Sequence, residues 1–555
     1  MVFITPGIDF LGRGAIFLSI PTAIVVGLNK YVGLDLPLWI LITGTLLCFP
    51  ARATIRIVAN QIFKRREAAR LGVRIVPVAQ GKWIGNFDVL RTMNEKFEFG
   101  YPGDGLDELI EQKGLLVNLR VLWSDMILTT SPEHIKTVLA TDFHNYVKGE
   151  RFHYNMGAVL GTGVFNSDGE MWKFHRAMTR PVFTRDKISH FDLFDKHVEQ
   201  AVFKIKQRFH EGYAVDFQDL MSRFTLDSAT EFLFGNCPVL SDAADAFASA
   251  FLAAQVVIST RERLGWIWPL FEIWQDKSKA PMKIKRRNTL ASGDVKLEDE
   301  KGETLLDHLV SLTSDPVVLK DETLNIMIAG RDTTAATLTF IIYCLSEHPT
   351  VLARLRSEIL AKVGASRRPD YDDIREMKYL RAVINETLRL FPIVPFNVRE
   401  SIDATTWPST DPNEKPFYIP AGTKILYSVF MMHRRQDLWG PDAEQFDPDR
   451  FLDARVNKYL IKNSFIFLPF NAGPRICLGQ QFAYNEMSFM LIRLLQSFQS
   501  ISLDLASAPQ DSLPPKTWIN SKGRKATEKV FPKMHLTMYA NGGLWVKMQE
   551  ATGEQ

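Results

Sequence analysis

Two uncharged apolar runs open the chain, residues 14–28 and 36–51, with only Lys30 and Asp35 charged between them. As helices of 15 or 16 residues they span roughly 23 Å, short of the ~30 Å hydrocarbon core of a bilayer. Extending the second run back to Tyr31 gives 21 residues and admits only Asp35, so 31–51 is the better spanning candidate. A cleaved signal peptide is the alternative, opposed by the second apolar run and the lack of a clean small-residue cleavage site. Arg52, Arg56, Lys64, Arg65, Arg66, Arg70 and Arg74 follow, against the single Glu67. The positive-inside rule keeps this flank, and the chain behind it, in the cytosol. The pattern predicts an anchor over 1–51, a basic linker over 52–80 and one globular unit over 81–555.

Within that unit, 115–130 alternates as two short strands around a Ser-Asp turn. Helical periodicity then dominates to about residue 390, interrupted at 284–303 by a charged, Gly/Ser-containing stretch read as an exposed loop. One long helix is expected over 321–346, capped by Asp321. Prolines at 392, 395, 408, 412, 416 and 420 break the pattern. Strands are expected over 417–430, and a final hairpin at Asn541-Gly542-Gly543. The fold class is mainly α with a smaller β region.

Composition narrows the classes. A net charge of +3 over 555 residues points away from nucleic acid as a partner. None of the 11 histidines falls into metal-site spacing. Four cysteines, Cys48, Cys237, Cys344 and Cys477, are too few and scattered for a disulfide framework, which fits a reducing compartment.

Cys477 stands apart because of its surroundings, Phe470-Asn471-Ala472-Gly473-Pro474-Arg475-Ile476-Cys477-Leu478-Gly479. The run lies between an apolar segment and a helix beginning near Gln480. Gly473 and Gly479 permit turns that bring backbone close to a flat macrocycle. Backbone N–H groups after Cys477, at a helix start, can donate to the sulfur and lower its pKa. Arg475 is placed to meet an anionic propionate. A buried free cysteine is the bland alternative. In the predicted long helix, Ala329-Gly330-Arg331-Asp332-Thr333-Thr334 interrupts apolar sequence. Charged and hydroxyl groups there are costly and require a reason. Gly330 opens space for a ligand, Thr333 can hydrogen-bond dioxygen, and Asp332 can help relay protons from solvent. The alternative is a threonine bonded back to its own helix carbonyl.

The cysteine run resembles the cysteine loop of the cytochrome P-450 family, and the family's other motifs occur in order. The resemblance covers about residues 85 to 549. It implies the family's fold, haem b with Cys477 as axial iron ligand, and Phe470 and Arg475 among the haem contacts. Glu386-Thr387-Leu388-Arg389 matches the family's Glu-x-x-Arg, completed by Arg450 in Phe446-Asp447-Pro448-Asp449-Arg450-Phe451; Asp449 stands where many members carry Glu. Trp172 and Arg176 match a Trp-x-x-x-Arg pair that meets haem propionates, and Arg399 matches a further propionate-binding arginine. Ala329-Gly330-Arg331-Asp332-Thr333-Thr334 is similar to the oxygen-activating motif, with Asp332 and Thr333 catalytic.

Residues 135–141, 163–169 and 471–483 resemble the fungal alkane and fatty-acid hydroxylase branch. What this implies is a monooxygenase hydroxylating long-chain alkanes or fatty acids, with broader oxidation of xenobiotics or aromatic hydrocarbons as the alternative. Electrons are then expected from a separate NADPH-cytochrome reductase, with cytochrome b5 as an optional second donor, since no length remains after residue 549 for a reductase domain. The expected place is the endoplasmic reticulum membrane, in contact with its lipid, with the catalytic domain facing the cytosol. A haem-thiolate isomerase or dehydratase, and a non-catalytic haem sensor, are the readings from other classes; Asp332 and Thr333 argue against the first.

Overall fold

The computed structural model describes residues 5–33, 36–184, 191–235, 242–279 and 304–551. The stretch 284–303, expected as a loop, and Cys237 lie outside the described residues.

Helix α1 (Pro6–Val32) starts at Thr5, whose hydroxyl accepts from the Ile8 N–H at 3.3 Å, and closes at Gly33 with φ of 65°. Helix α2 runs from Leu38 to Arg70. Each is long and apolar enough to cross a membrane. The stretch 31–51, the better spanning candidate in the sequence, is shared between the two helices. Tyr31 belongs to α1, and left-handed backbone at Gly33, which glycine adopts without a Cβ penalty, ends that helix before α2 begins. Helix α2 continues past residue 51 into the basic stretch 52–70. Its far end docks on the globular unit through Lys64 and Asp125, 2.5 Å apart. The start of α1 docks as well. Thr5 Oγ1 donates to the Ile273 carbonyl at 2.5 Å, Phe10 meets Trp266 with ring centroids 6.3 Å apart, and a Cβ on Gly7 would lie 2.4 Å from Ile273 Cα.

The elements that build the site are helices α3 (Gly169–Thr179), α4 (Phe217–Phe234), α5 (Asp242–Leu264), α6 (Pro316–Glu347), α7 (Lys378–Leu390) and α8 (Gln480–Ser497). A five-stranded sheet lies at one side. Its strands are β1 (Leu116–Asn118), β2 (Met126–Thr129), β3 (Tyr146–Val147), β4 (Phe396–Ser401) and β5 (Lys424–Ser428), in the order β1-β2-β5-β4-β3. Strands β1 and β2 pair antiparallel around the expected Ser124-Asp125 turn, and β2 pairs parallel with β5.

Two expectations are corrected. Helix α6 begins at Pro316, not at 321, because Asp315 caps it by accepting from the Val317 N–H at 2.8 Å. Asp321 is buried and accepts instead from the Thr162 N–H at 2.9 Å, holding a neighbouring loop. Asn541-Gly542-Gly543 does turn the chain, with φ of 71° and 90° at the glycines, but no hairpin forms. Met538–Ala540 pairs with Pro532–Met534, whereas Trp545–Glu550 pairs with Phe498–Leu503 in another sheet. Asp216 redirects the chain there, accepting from the Leu544 N–H at 3.0 Å.

The core is centred on α6, whose residues from Thr334 to Leu345 are all buried. It packs against α4, α7 and α8. An apolar all-round helix of this kind is a core helix.

Candidate active site

The loop before α8 is held by its own backbone and by the core beneath. The Cys477 N–H donates to the Phe470 carbonyl and the Ile476 N–H to the Gly473 carbonyl, both at 3.0 Å. Gly473 has φ of 68°, and a Cβ there would lie 1.8 Å from the Leu139 carbonyl oxygen, so only glycine fits. Asn471 is also left-handed (φ 62°), and its side chain accepts from the buried Tyr427 hydroxyl at 2.9 Å. The result points the Cys477 sulfur into a cavity of about 860 Å³. Burial pushes the thiol pKa up, while a hydrogen bond from the Gly479 N–H and the Arg176 charge oppose that shift. Among the described cysteines Cys477 alone lines this cavity.

Trp172, Arg176, Arg399, Phe470, Arg475 and Thr333 line the same cavity, so residues about three hundred positions apart in sequence meet around it. Arg475 Nη2 donates to Asp168 at 2.6 Å and to the Ser167 carbonyl at 2.9 Å, and its guanidinium covers Trp172 at 4.6 Å. Its Nε is buried with no acceptor, and burial pulls the guanidinium pKa down to about 10. Arg176 donates to the Ile476 carbonyl at 3.0 Å, which ties α3 to the cysteine loop. Arg399, on β4, is buried and donates to the Val398 carbonyl at 2.8 Å.

Lys148, which the sequence pattern did not single out, lies in this group. Burial, then the positive charges of Arg399 and Arg475, hold its ammonium pKa well below the ordinary lysine range. Three cations thus crowd one edge of the cavity, with Asp168 ion-paired to Arg475. Asp168 is itself fixed by the N–H groups of Lys148 (2.9 Å) and Gly149 (3.0 Å). Such an excess of buried positive charge calls for anions. A cavity with a thiol on its wall and cations at its edge fits a flat iron macrocycle bearing two carboxylates.

Beneath the loop lies a network with no cavity access. Arg389 reaches both oxygens of Glu386 (2.7 and 2.9 Å), and Arg450 Nε approaches Glu386 at 3.4 Å. Both Arg389 and Glu386 are completely buried, unlike a solvated surface pair. Every charge is satisfied: Arg389 also donates to the carbonyls of His433, Ala443 and Gln445, and Arg450 to Trp439 and Asp442. Removing one partner from such a network costs about 3–5 kcal/mol. Asp449, off the family pattern, lies at the surface and accepts from Arg354 at 2.8 Å. His433 links the network to the cysteine loop. Its Nε2 accepts from the Leu468 N–H at 3.0 Å, which leaves Nδ1 to donate to the Arg389 carbonyl at 3.2 Å.

On the opposite wall, a Cβ on Gly330 would meet only Ala229, at 3.7 Å, so this stretch of α6 stays open towards the cavity. Thr333 Oγ1 donates to the Ala329 carbonyl at 2.5 Å. Asp332 stands behind the wall, accepting from Gln255 on α5 at 2.5 Å and pairing with Arg331 at 3.2 Å.

Comparison with known proteins agrees with this geometry. The family model for cytochrome P450 matches residues 100–522. Cytochrome P450 52-E3 of Starmerella bombicola is 36% identical over 466 residues, covering 79% of this chain and 88% of its own. Cytochrome P450 52E2 of Candida apicola is 38% identical over 469 residues, with the same two shares, 79% and 88%. Cytochrome P450 52A6 of Candida tropicalis is 36% identical over 450 residues, 76% of this chain and 81% of its own. With its motifs gathered at one cavity and a family match over most of its length, the chain belongs to the cytochrome P450 family, whose members are reductase-dependent haem-thiolate monooxygenases.

Proposed function

We propose that this enzyme hydroxylates long-chain alkanes or fatty acids, binding the chain in the apolar cavity between Cys477 and the start of α1. The supporting observation is the wall itself: Phe97, Phe152, Leu233, Phe482 and Leu536 line a cavity that extends to Phe10 and Arg13 of α1. A long aliphatic chain gains its binding energy from such burial. When bound, haem supplies the reductive activation of dioxygen for insertion of one oxygen atom.

In this reading Cys477 is the iron ligand, and Trp172, Arg176, Arg399, Phe470 and Arg475 hold the macrocycle, with Lys148 added to the propionate group. Glu386, Arg389 and Arg450 are structural. Thr333 holds a proton donor against dioxygen, exchanging its present bond to Ala329 for that role, and Asp332, held in place by Gln255 and Arg331, helps relay protons from solvent. An isomerase needs no such proton delivery, and a sensor needs no reductase.

Residues 1–51 anchor the chain in the lipid of the endoplasmic reticulum, the basic half of α2 keeps the catalytic unit on the cytosolic side, and cytochrome b5 serves as an accessory electron donor. The test is turnover with NADPH and a reductase on alkanes, fatty acids and polycyclic aromatics. Hydroxylated aliphatic products support the reading. Oxidation of the aromatics alone contradicts it.

A further inference from the structure

The cavity holds a cation that the chemistry above does not use. Arg263 lies in the last turn of α5, its guanidinium 3.8 Å over the Phe97 ring, and Nη2 donates to Thr260 Oγ1 at 3.0 Å. It lines the cavity, yet its Nε is buried with no acceptor. Arg13, Lys424 and Arg475, which also line the cavity, pair with Asp9, Glu262 and Asp168, while Lys148, Arg176 and Arg399 belong to the group assigned above to the macrocycle. Among the described residues no carboxylate comes within ion-pair reach of Arg263. Burial pulls its pKa down to about 10, with Glu98 opposing only through longer-range attraction. A largely buried guanidinium with no ion-pair partner is costly to keep unless an anion meets it, and its planar fork matches a carboxylate.

Its position gives the anion a defined place. Gln255, on the same helix, hydrogen-bonds Asp332 beside Thr333. Arg263 lies eight residues further along α5, about 12 Å at helical rise, towards Trp266 and the α1 residue Phe10. The cation is therefore on the α1 side of the cavity and the sulfur of Cys477 is at the reacting end.

We infer that Arg263 anchors the carboxylate of a long-chain fatty acid, holding the acid end near α1 and sending the methyl end towards Cys477. This rests on the proposed aliphatic hydroxylation and narrows it to acids, oxidised far from the carboxylate.

The test uses the haem-loaded full chain in detergent, with binding followed by the change in haem absorption. The ligands are a long-chain fatty acid, its methyl ester and the alkane of matching length. The wild type should bind the acid roughly 10- to 100-fold more tightly than the ester. Arg263→Gln should remove that preference and leave ester affinity unchanged, while Arg263→Lys should keep part of it. Equal binding of acid and ester by the wild type, or an equal loss of both in Arg263→Gln, overturns the assignment. If Arg263→Gln fails to take up haem, the wild-type comparison alone decides. Ester and alkane bound and hydroxylated with no preference for the acid sinks the anchor and leaves the aliphatic reading standing. No binding of any aliphatic ligand sinks both.

Discussion

Asp168 Oδ1 lies 2.6 Å from Nη2 of Arg475, and the same carboxylate is held by His153 at 3.0 Å and by two backbone N–H groups. These hydrogen bonds and the Arg475 charge outweigh burial and hold the carboxyl far below its usual range, so it stays ionised throughout ordinary pH. Asp168 thereby fixes the guanidinium against Trp172, with Nε left free. Asp168→Asn keeps an acceptor and removes the charge. A charged hydrogen bond of this kind is worth about 1.5–3 kcal/mol. The variant should bind haem about 10- to 100-fold more weakly, with unchanged helix content. Unaltered haem retention would mean that Arg475 is oriented without Asp168.

The His433 ring predicts a dependence on pH. Burial, with the nearby Arg389 charge, pushes its pKa down to about 3. The unfolded ring takes up a proton below about 6.5, whereas the folded ring stays neutral. The unfolded state therefore binds more protons between about 3 and 6.5, and stability falls as pH falls through that window. Each unit removes up to about 1.4 kcal/mol, and nothing is lost on this account above pH 6.5. Chemical denaturation across pH should show this slope, and His433→Gln should flatten it even at a lower absolute stability. An equally steep slope in the variant assigns the loss to other groups.

The cysteine loop, the Glu386–Arg389 pair and the Gly330–Thr333 segment stood out in sequence because their residue types sit at fixed local spacing, whereas Arg450 reaches Glu386 from 64 positions away. Lys148 was not. Nothing within a few residues distinguishes it from a surface lysine, and its significance comes from Arg399 and Arg475, which lie more than two hundred positions away. Asp321 misled for a related reason. An acidic residue before an apolar run reads as a cap, but the Pro316 turn had already begun the helix and left Asp321 to bind Thr162. The double glycine at 542–543 marked a turn correctly. Which strands flank that turn was decided by Asp216, from a distant part of the chain. The two apolar runs were visible in sequence, but the boundary between their helices was set by a single residue, Gly33, which closes α1.

Deleting residues 1–51 should release much of the protein from membranes and leave the haem spectrum intact, because the described contacts of α1 avoid the cysteine loop. It should weaken aliphatic substrate binding, since Phe10 and Arg13 wall one end of the cavity. Fractionation and ligand titration check the two halves separately. Collapse of the spectrum would make the segment part of the folded core.

Thr333 and Thr334 test proton delivery. Thr333→Ala, with reductase and substrate, should consume NADPH while forming less hydroxylated product and more hydrogen peroxide. Thr334 is buried next to Glu486, a carboxyl that burial pushes up to about 8. Thr334→Ala should therefore affect stability more and coupling less. If both variants couple as well as the parent, the Thr333 hydroxyl serves only its bond to the Ala329 carbonyl.

The central claim is that Cys477 holds the haem iron through its thiolate. The absorption spectrum of the reduced, carbon monoxide-bound protein tests it most directly. The intact chain should show the band that gives the family its name, and Cys477→Ala should lose that band and most of its haem, whereas Cys344→Ala, altering a cysteine buried in α6, should keep it. The same band in Cys477→Ala at full intensity would contradict the account.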